Sequence, residues 1–199
     1  MHTYYGSMAD ELRHVYLDPK QIRVLAHPLR SRLVGELRLD GPATATRLTA
    51  ALGTNTGATS YHLRQLADAG LVAEDPDAGR GRERVWRAAH DVTSWQRNAY
   101  AGDPDATAAA DWLAGFQVQR FADRAEEWQR ALPDESEAWR DAAGISDYIL
   151  TLNPSQLDGL LKELDAVIER HRRDTNAEPA PDSRQVLIYL SGLPRVGPS

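Results

Sequence analysis

Proline and glycine punctuate the first ninety residues so closely that only short helices and a hairpin fit between them. Asp18-Pro19 reads as an N-cap followed by proline at the first helical position, where the missing N–H costs nothing. Ile22, Leu25 and Ala26 follow at helical spacing. Pro28 forces a break, because it cannot donate to the preceding turn and drives His27 out of helical geometry. Leu29, Leu33, Val34 and Leu37 predict the apolar stripe of a second helix, which Asp40-Gly41-Pro42 ends. A short helix from Thr44 to Leu52 carries Leu48, Ala51 and Leu52 and stops at Gly53.

Asn55 then predicts the cap of a helix running to about Ala69. Thr59, Leu63 and Leu66 fall on its core stripe, and Thr56, Gly57, Ser60, Tyr61 and Arg64 on the opposite side. Gly70 closes this helix and Leu71-Val72-Ala73 begins a strand. Pro76-Asp77-Ala78-Gly79-Arg80-Gly81 is a turn, and Arg82 to Ala88 returns as a second strand with Trp86 and Ala88 on its inner face. Short helices followed by a hairpin with Arg80, Arg82 and Arg84 crowding its tip form the outline of a winged helix.

The chemistry agrees with the outline. A helix fits the major groove of B-DNA, and small polar residues at its start let its backbone come close to the base edges. Guanidinium groups at a hairpin tip suit the phosphate backbone or the minor groove. The candidate DNA contacts are Asn55, Thr56, Gly57, Ser60, Tyr61, Arg64, Arg80, Arg82 and Arg84. The net charge of −6 opposes nucleic acid only until its distribution is examined. Asp18 to His90 holds 11 Lys/Arg against 8 Asp/Glu, whereas Asp91 to Ser199 holds 11 against 19. A basic module precedes an acidic one, as in a DNA-binding part joined to a part with another task.

Leu25-Ala26-His27-Pro28-Leu29-Arg30, Leu52-Gly53, Thr59-Ser60-Tyr61-His62-Leu63-Arg64-Gln65-Leu66, Ala69-Gly70-Leu71-Val72 and Gly81-Arg82-Glu83-Arg84-Val85-Trp86 together resemble the ArsR-type winged helix-turn-helix family. The resemblance covers about Asp18 to His90. It implies a dimer whose recognition helix is Asn55 to Ala69 and whose wing is Leu71 to Ala88, with repression relieved by an inducer. The chain departs from metal-sensing members in having no cysteine, and no His/carboxylate cluster marks its long helix, so no metal is expected.

Beyond His90 the reading is coarser. Asp91 to Tyr100 predicts a short helix, broken by Gly102-Asp103-Pro104, and Asp105 to Leu132 a long one. On it Ala114, Val118, Phe121, Ala125, Trp128 and Leu132 recur at heptad-like spacing, with Trp112, Leu113 and Phe116 thickening the start. That seam suits either a dimer interface or packing within the domain; the family resemblance favours dimerisation. Ile145 to Leu152 and Gln185 to Ser191 read as strands able to pair. Between them Asn153 caps and Pro154 starts a helix to about Arg172, carrying Leu157, Leu160, Leu161, Leu164, Val167 and Ile168 on one face. Asp174 to Ser183 is a loop. Trp95, Trp112, Trp128 and Trp139 lie in this half; such aromatics line a pocket for a small apolar effector in one reading and pack a core or interface in the other.

The expected fold is mainly α with small β: a winged helix-turn-helix at 18–90, then a helical or α+β region at 91–199 for dimerisation and effector binding. Expected partners are double-stranded DNA and a second copy of the chain. There is no glycine-rich phosphate loop, no zinc spacing and no G-x-S-x-G, so neither an enzyme nor a cofactor is indicated. The alternative is a winged helix that serves protein–protein assembly. No apolar run approaches the roughly 20 residues of a membrane span, and Met1 to Gly6 shows no export signal, so a cytoplasmic protein is expected. Gly6-Ser7-Met8 is either native or a cloning junction ahead of Met8.

Overall fold

The computed structural model describes residues 13–76, 83–177 and 180–197. The elements in order are β1 (His14–Tyr16), α1 (Pro19–Leu25), α2 (Pro28–Leu39), β2 (Ala43–Thr44), α3 (Ala45–Leu52), α4 (Thr56–Asp68), β3 (Val72–Glu74), β4 (Val85–Ala88), β5 (Val92–Ser94), α5 (Pro104–Ala131), α6 (Glu137–Ala142) and α7 (Pro154–Ala177). The chain divides into two compact units with the boundary inside α5, the first running through Ala122 and the second taking up from Asp123. The fold is mainly helical with two small sheets, as the sequence predicts.

The caps read from the sequence are in place. Asp18 accepts from the Gln21 backbone while the Gln21 side chain reaches back to the Asp18 N–H, a complete capping box for α1. His27 adopts an extended backbone, and its Nδ1 accepts the Leu29 N–H at the start of α2. Thr44 and Asn55 cap α3 and α4. Gly53 and Gly70 take φ of +61° and +70°, left-handed values that end α3 and turn the chain out of α4 at little cost only for glycine.

Helix α4 lies on α2 and α3 through Thr59, Leu63 and Leu66, all fully buried. Its C-terminal carbonyls are satisfied from α1: Lys20 Nζ donates to Asp68 O at 2.7 Å and Gln21 Nε2 to Ala69 O at 3.1 Å. The lysine charge also suits the negative end of the helix dipole. A three-stranded antiparallel sheet, in the order β2-β4-β3, closes the module, with Ala43 opposite Trp86 and Val72 opposite Ala88. Trp86 and Ala88 are buried, so β4 presents the face expected of it. This strand begins at Val85, later than the sequence suggests; Arg82 lies outside the described residues.

Three expectations are corrected. Asp91 to Tyr100 is not one helix: Val92–Ser94 pairs in parallel with His14–Tyr16, and only Arg97–Tyr100 turns, as a 3₁₀ helix. The cause is distant in sequence, since Asp91 grips Arg13 with both carboxylate oxygens and brings β1 alongside. Ile145 to Leu152 and Gln185 to Ser191 form no strands, and they carry exposed apolar side chains such as Tyr148 and Ile149. Alternating side chains define a strand only when another backbone completes a ladder with it, and among the described residues neither segment is part of a sheet. The C-terminal region is therefore helical rather than α+β. Finally, α7 reaches Ala177, beyond the expected end at Arg172.

On α5 the buried positions are Ala106, Ala109, Ala110 and Leu113, which join the core of the first unit. Tyr100 is buried there too, its hydroxyl donating to Leu17 O at 2.6 Å. The heptad-like seam lies off this stripe, and Val118 stays 67% exposed.

The rings of His27 and His62 meet at 4.4 Å, joining the start of α2 to the middle of α4. Burial first and then the charge of Arg30 hold the His27 imidazole below the ordinary value of 6.5, and burial followed by the charges of His27 and Arg30 does the same for His62. A proton on His27 Nδ1 would also abolish the cap it provides to Leu29. The folded protein therefore binds fewer protons than the unfolded chain as pH falls through about 6.5, so stability is greatest above that value and declines below it. We expect the melting temperature to fall from pH 7.5 to 5.5. The fall should be smaller in the double variant His27→Asn, His62→Gln, which keeps a cap acceptor but cannot titrate; an unchanged slope would contradict the assignment. Some slope should survive, since His90 is also shifted down, by burial first.

Candidate nucleic-acid interface

Burial of Thr59, Leu63 and Leu66 decides what α4 offers to solvent. At 3.6 residues per turn, Thr56, Ser60 and Arg64 share one outward stripe, with Gly57 and Tyr61 beside it. Thr56, Gly57, Tyr61 and Arg64 are exposed and Ser60 half-buried. The first stripe opens into a cleft of about 380 Å³ whose other walls are Ala45 and Thr46 of α3, Glu83 and Arg84 before β4, and Trp86. The structure thus brings Thr56, Ser60, Arg64 and Arg84 together around one cleft.

Asn55 has a structural task as well, since its Oδ1 accepts the Ala58 N–H at 2.8 Å and caps α4. Arg84 pairs with Glu74 at 3.0 Å, both side chains being more than half exposed. Such surface pairs contribute about 0–1 kcal/mol, so the guanidinium can change partner readily. Arg80 and Arg82 lie outside the described residues.

Sequence reading missed Thr46 and Glu83. Thr46 Oγ1 donates to Glu83 Oε1 at 2.9 Å across the cleft, tying α3 to the root of the wing. In the sequence Glu83 merely interrupts arginines; in the fold it places a carboxylate beside Arg84 and tempers a basic surface. The short strand β2, which starts α3 at the cleft wall, carried no signal beyond Pro42. Next to the cleft, Tyr61 meets the His62 ring edge-on at 5.2 Å. Arg30 has a buried Nε with no hydrogen-bond partner among the described residues, and burial lowers its pKa from the ordinary value.

The tryptophans have separate surroundings. Trp95 is packed against the core of the first unit, and Trp112 stacks on Phe116 with centroids 5.2 Å apart. In the second unit Trp128 and Trp139 both face the Arg184 guanidinium. Among the described residues no helix is long and apolar enough to cross a membrane.

Residues 25–75 match the helix-turn-helix domain family. A solved structure described as a possible transcriptional regulator for arsenical resistance is 30% identical, over 61% of this chain and 99% of its own, with a TM-score of 0.31. An ArsR family transcriptional regulator is 23% identical over 51% of this chain and 96% of its own, at 0.30. ZitR of Lactococcus lactis in complex with DNA is 14% identical over 85% and 84%, at 0.25. No curated protein matches the chain. The first of these identities runs along nearly all of that relative. By that identity, and by the motifs that α2, α4 and the sheet now place in a winged helix, the chain belongs to the ArsR-type winged helix-turn-helix family of transcriptional regulators.

Proposed function

We propose that this protein is a homodimeric repressor, not an enzyme, that acts in the cytoplasm and recognises a pseudo-palindromic operator. Residues 18–90 are the DNA-reading module, and 91–199 carry dimerisation and the response to an effector. The observation that carries the reading is the outward stripe of α4, where Thr56, Ser60 and Arg64 open into one cleft with Arg84. Arg64 reaches base edges in the major groove from the exposed face, and Thr56, Gly57, Ser60 and Tyr61 set how closely the helix approaches. Arg84, with Arg80 and Arg82 of the wing, contacts the backbone or minor groove. The exposed Val118 supports α5 as the dimer contact.

The direct test is binding of the purified protein to the DNA upstream of its own gene, against a random duplex of equal length. We expect preference for the former and, for 6–10 phosphate contacts, a loss of roughly 10³–10⁵ in affinity between 50 and 200 mM salt. No binding to either duplex at low salt would contradict the reading and favour a winged helix that serves a protein partner. Arg64→Ala should weaken specific binding by about 1–3 kcal/mol, and Arg84→Ala should reduce the salt slope by about one with little change in sequence preference. An unchanged affinity would remove Arg64 from the contact set. Val118→Glu should shift the sedimenting species from dimer to monomer; an unchanged mass would place the interface elsewhere.

A further inference from the structure

The second unit contains a group that the DNA-binding reading does not use. Trp128 near the end of α5, Glu135 after the following turn, and Trp139 in α6 surround one guanidinium, that of Arg184. Arg184 Cζ lies 4.3 Å from the centroid of the Trp139 ring and 5.8 Å from that of Trp128. Both separations are within the range at which an aromatic face attracts a cation. Arg184 Nη2 also donates to Glu135 Oε2 at 2.8 Å. All three receiving side chains come from one twelve-residue stretch, whereas the guanidinium is supplied by a segment, 183–191, with no helix or strand of its own. Residues 126–141 add to the attraction, since they hold six carboxylates (Glu126, Glu127, Asp134, Glu135, Glu137, Asp141) against Arg130 and Arg140.

We propose that Trp128, Trp139 and Glu135 form a recognition site for a small guanidinium-bearing cation, with Arg184 as its resident occupant. Two indole faces select a flat, delocalised cation, and the carboxylate requires one that donates N–H, which disfavours a quaternary ammonium. Arg184 remains 43% exposed at its side chain, so the site is open to solvent and its occupant can exchange. A free guanidinium competes with a tethered one, and tethering acts as a local concentration in the millimolar range. Occupation by the free ligand releases the C-terminal segment from α6. The site does not depend on the DNA-binding reading, and its test contains no DNA.

The experiment follows the five tryptophan indole N–H signals of the ¹⁵N-labelled full chain during titration with methylguanidinium. In Arg184→Ala the Trp128 and Trp139 signals should shift saturably, with an apparent affinity at least about tenfold tighter than in the wild-type protein, where Arg184 competes. Arg184→Gln, which keeps much of the side chain's length, repeats the measurement independently, and a dispersed amide spectrum verifies the fold of each variant. Adding Glu135→Gln or Trp139→Ala to Arg184→Ala should weaken the response several-fold. The proposal is overturned if neither Arg184 variant responds saturably, if the wild-type protein binds as tightly as they do, or if the response survives Trp139→Ala.

Discussion

The packing of α4 through Thr59, Leu63 and Leu66 is the contact on which the rest of the winged helix depends. Burying these three side chains fixes the rotation of the helix about its axis, and so fixes which residues face outward. Thr59 is the only buried polar residue among those described, and its hydroxyl is satisfied in place. Oγ1 lies 3.1 Å from the Asn55 carbonyl and 3.0 Å from Thr49 Oγ1, so α4 is keyed to α3 by a hydrogen bond as well as by shape. A helix rotated by one residue would bury Ser60 or Arg64 without partners, at a cost no neighbouring group offsets. The position along the axis is set by Asn55 at one end and by Lys20 and Gln21 at the other. A rigid outward face is what reading DNA by direct contact requires.

Most of this module was legible in the sequence because its signals are local. Asp18-Pro19, His27-Pro28, Gly53, Asn55 and Gly70 each act within one turn of helix, through a cap, a missing donor or a positive φ. The outward stripe of α4 followed directly from its buried stripe. What escaped depends on residues far apart. The pairing of Val92–Ser94 with His14–Tyr16 rests on Arg13 and Asp91, 78 positions away from each other, and nothing near Val92 announces it. Glu83 became part of the site only when the sheet folded against α3 and brought it to Thr46.

The two units differ in how much apolar surface they bury. The first contains every residue of the buried core, including the Ala106–Leu113 stripe of α5. In the second, α7 is well capped, with Asn153 and Gln156 exchanging hydrogen bonds, yet none of its described side chains is fully buried. The segments at 145–152 and 185–191 have the alternation of strands but no ladder, so the period of two there reports composition and not pairing. Order in the second unit comes instead from particular contacts, notably Arg184 between two indoles and Gly192 against Leu157, where a Cβ would come within 2.6 Å of Leu157 Cδ1. Contacts of that kind, made one residue at a time, leave no periodic trace in a sequence.

The outward face of α4 is the surface proposed to meet DNA. The most direct test is to record the backbone amide spectrum of the labelled protein with and without a duplex carrying the preferred site. The largest shifts should fall on Thr56, Gly57, Ser60, Tyr61 and Arg64, followed by Arg84, with residues of α7 little affected. Shifts concentrated on α7 or α6, with α4 unchanged, would contradict the proposal.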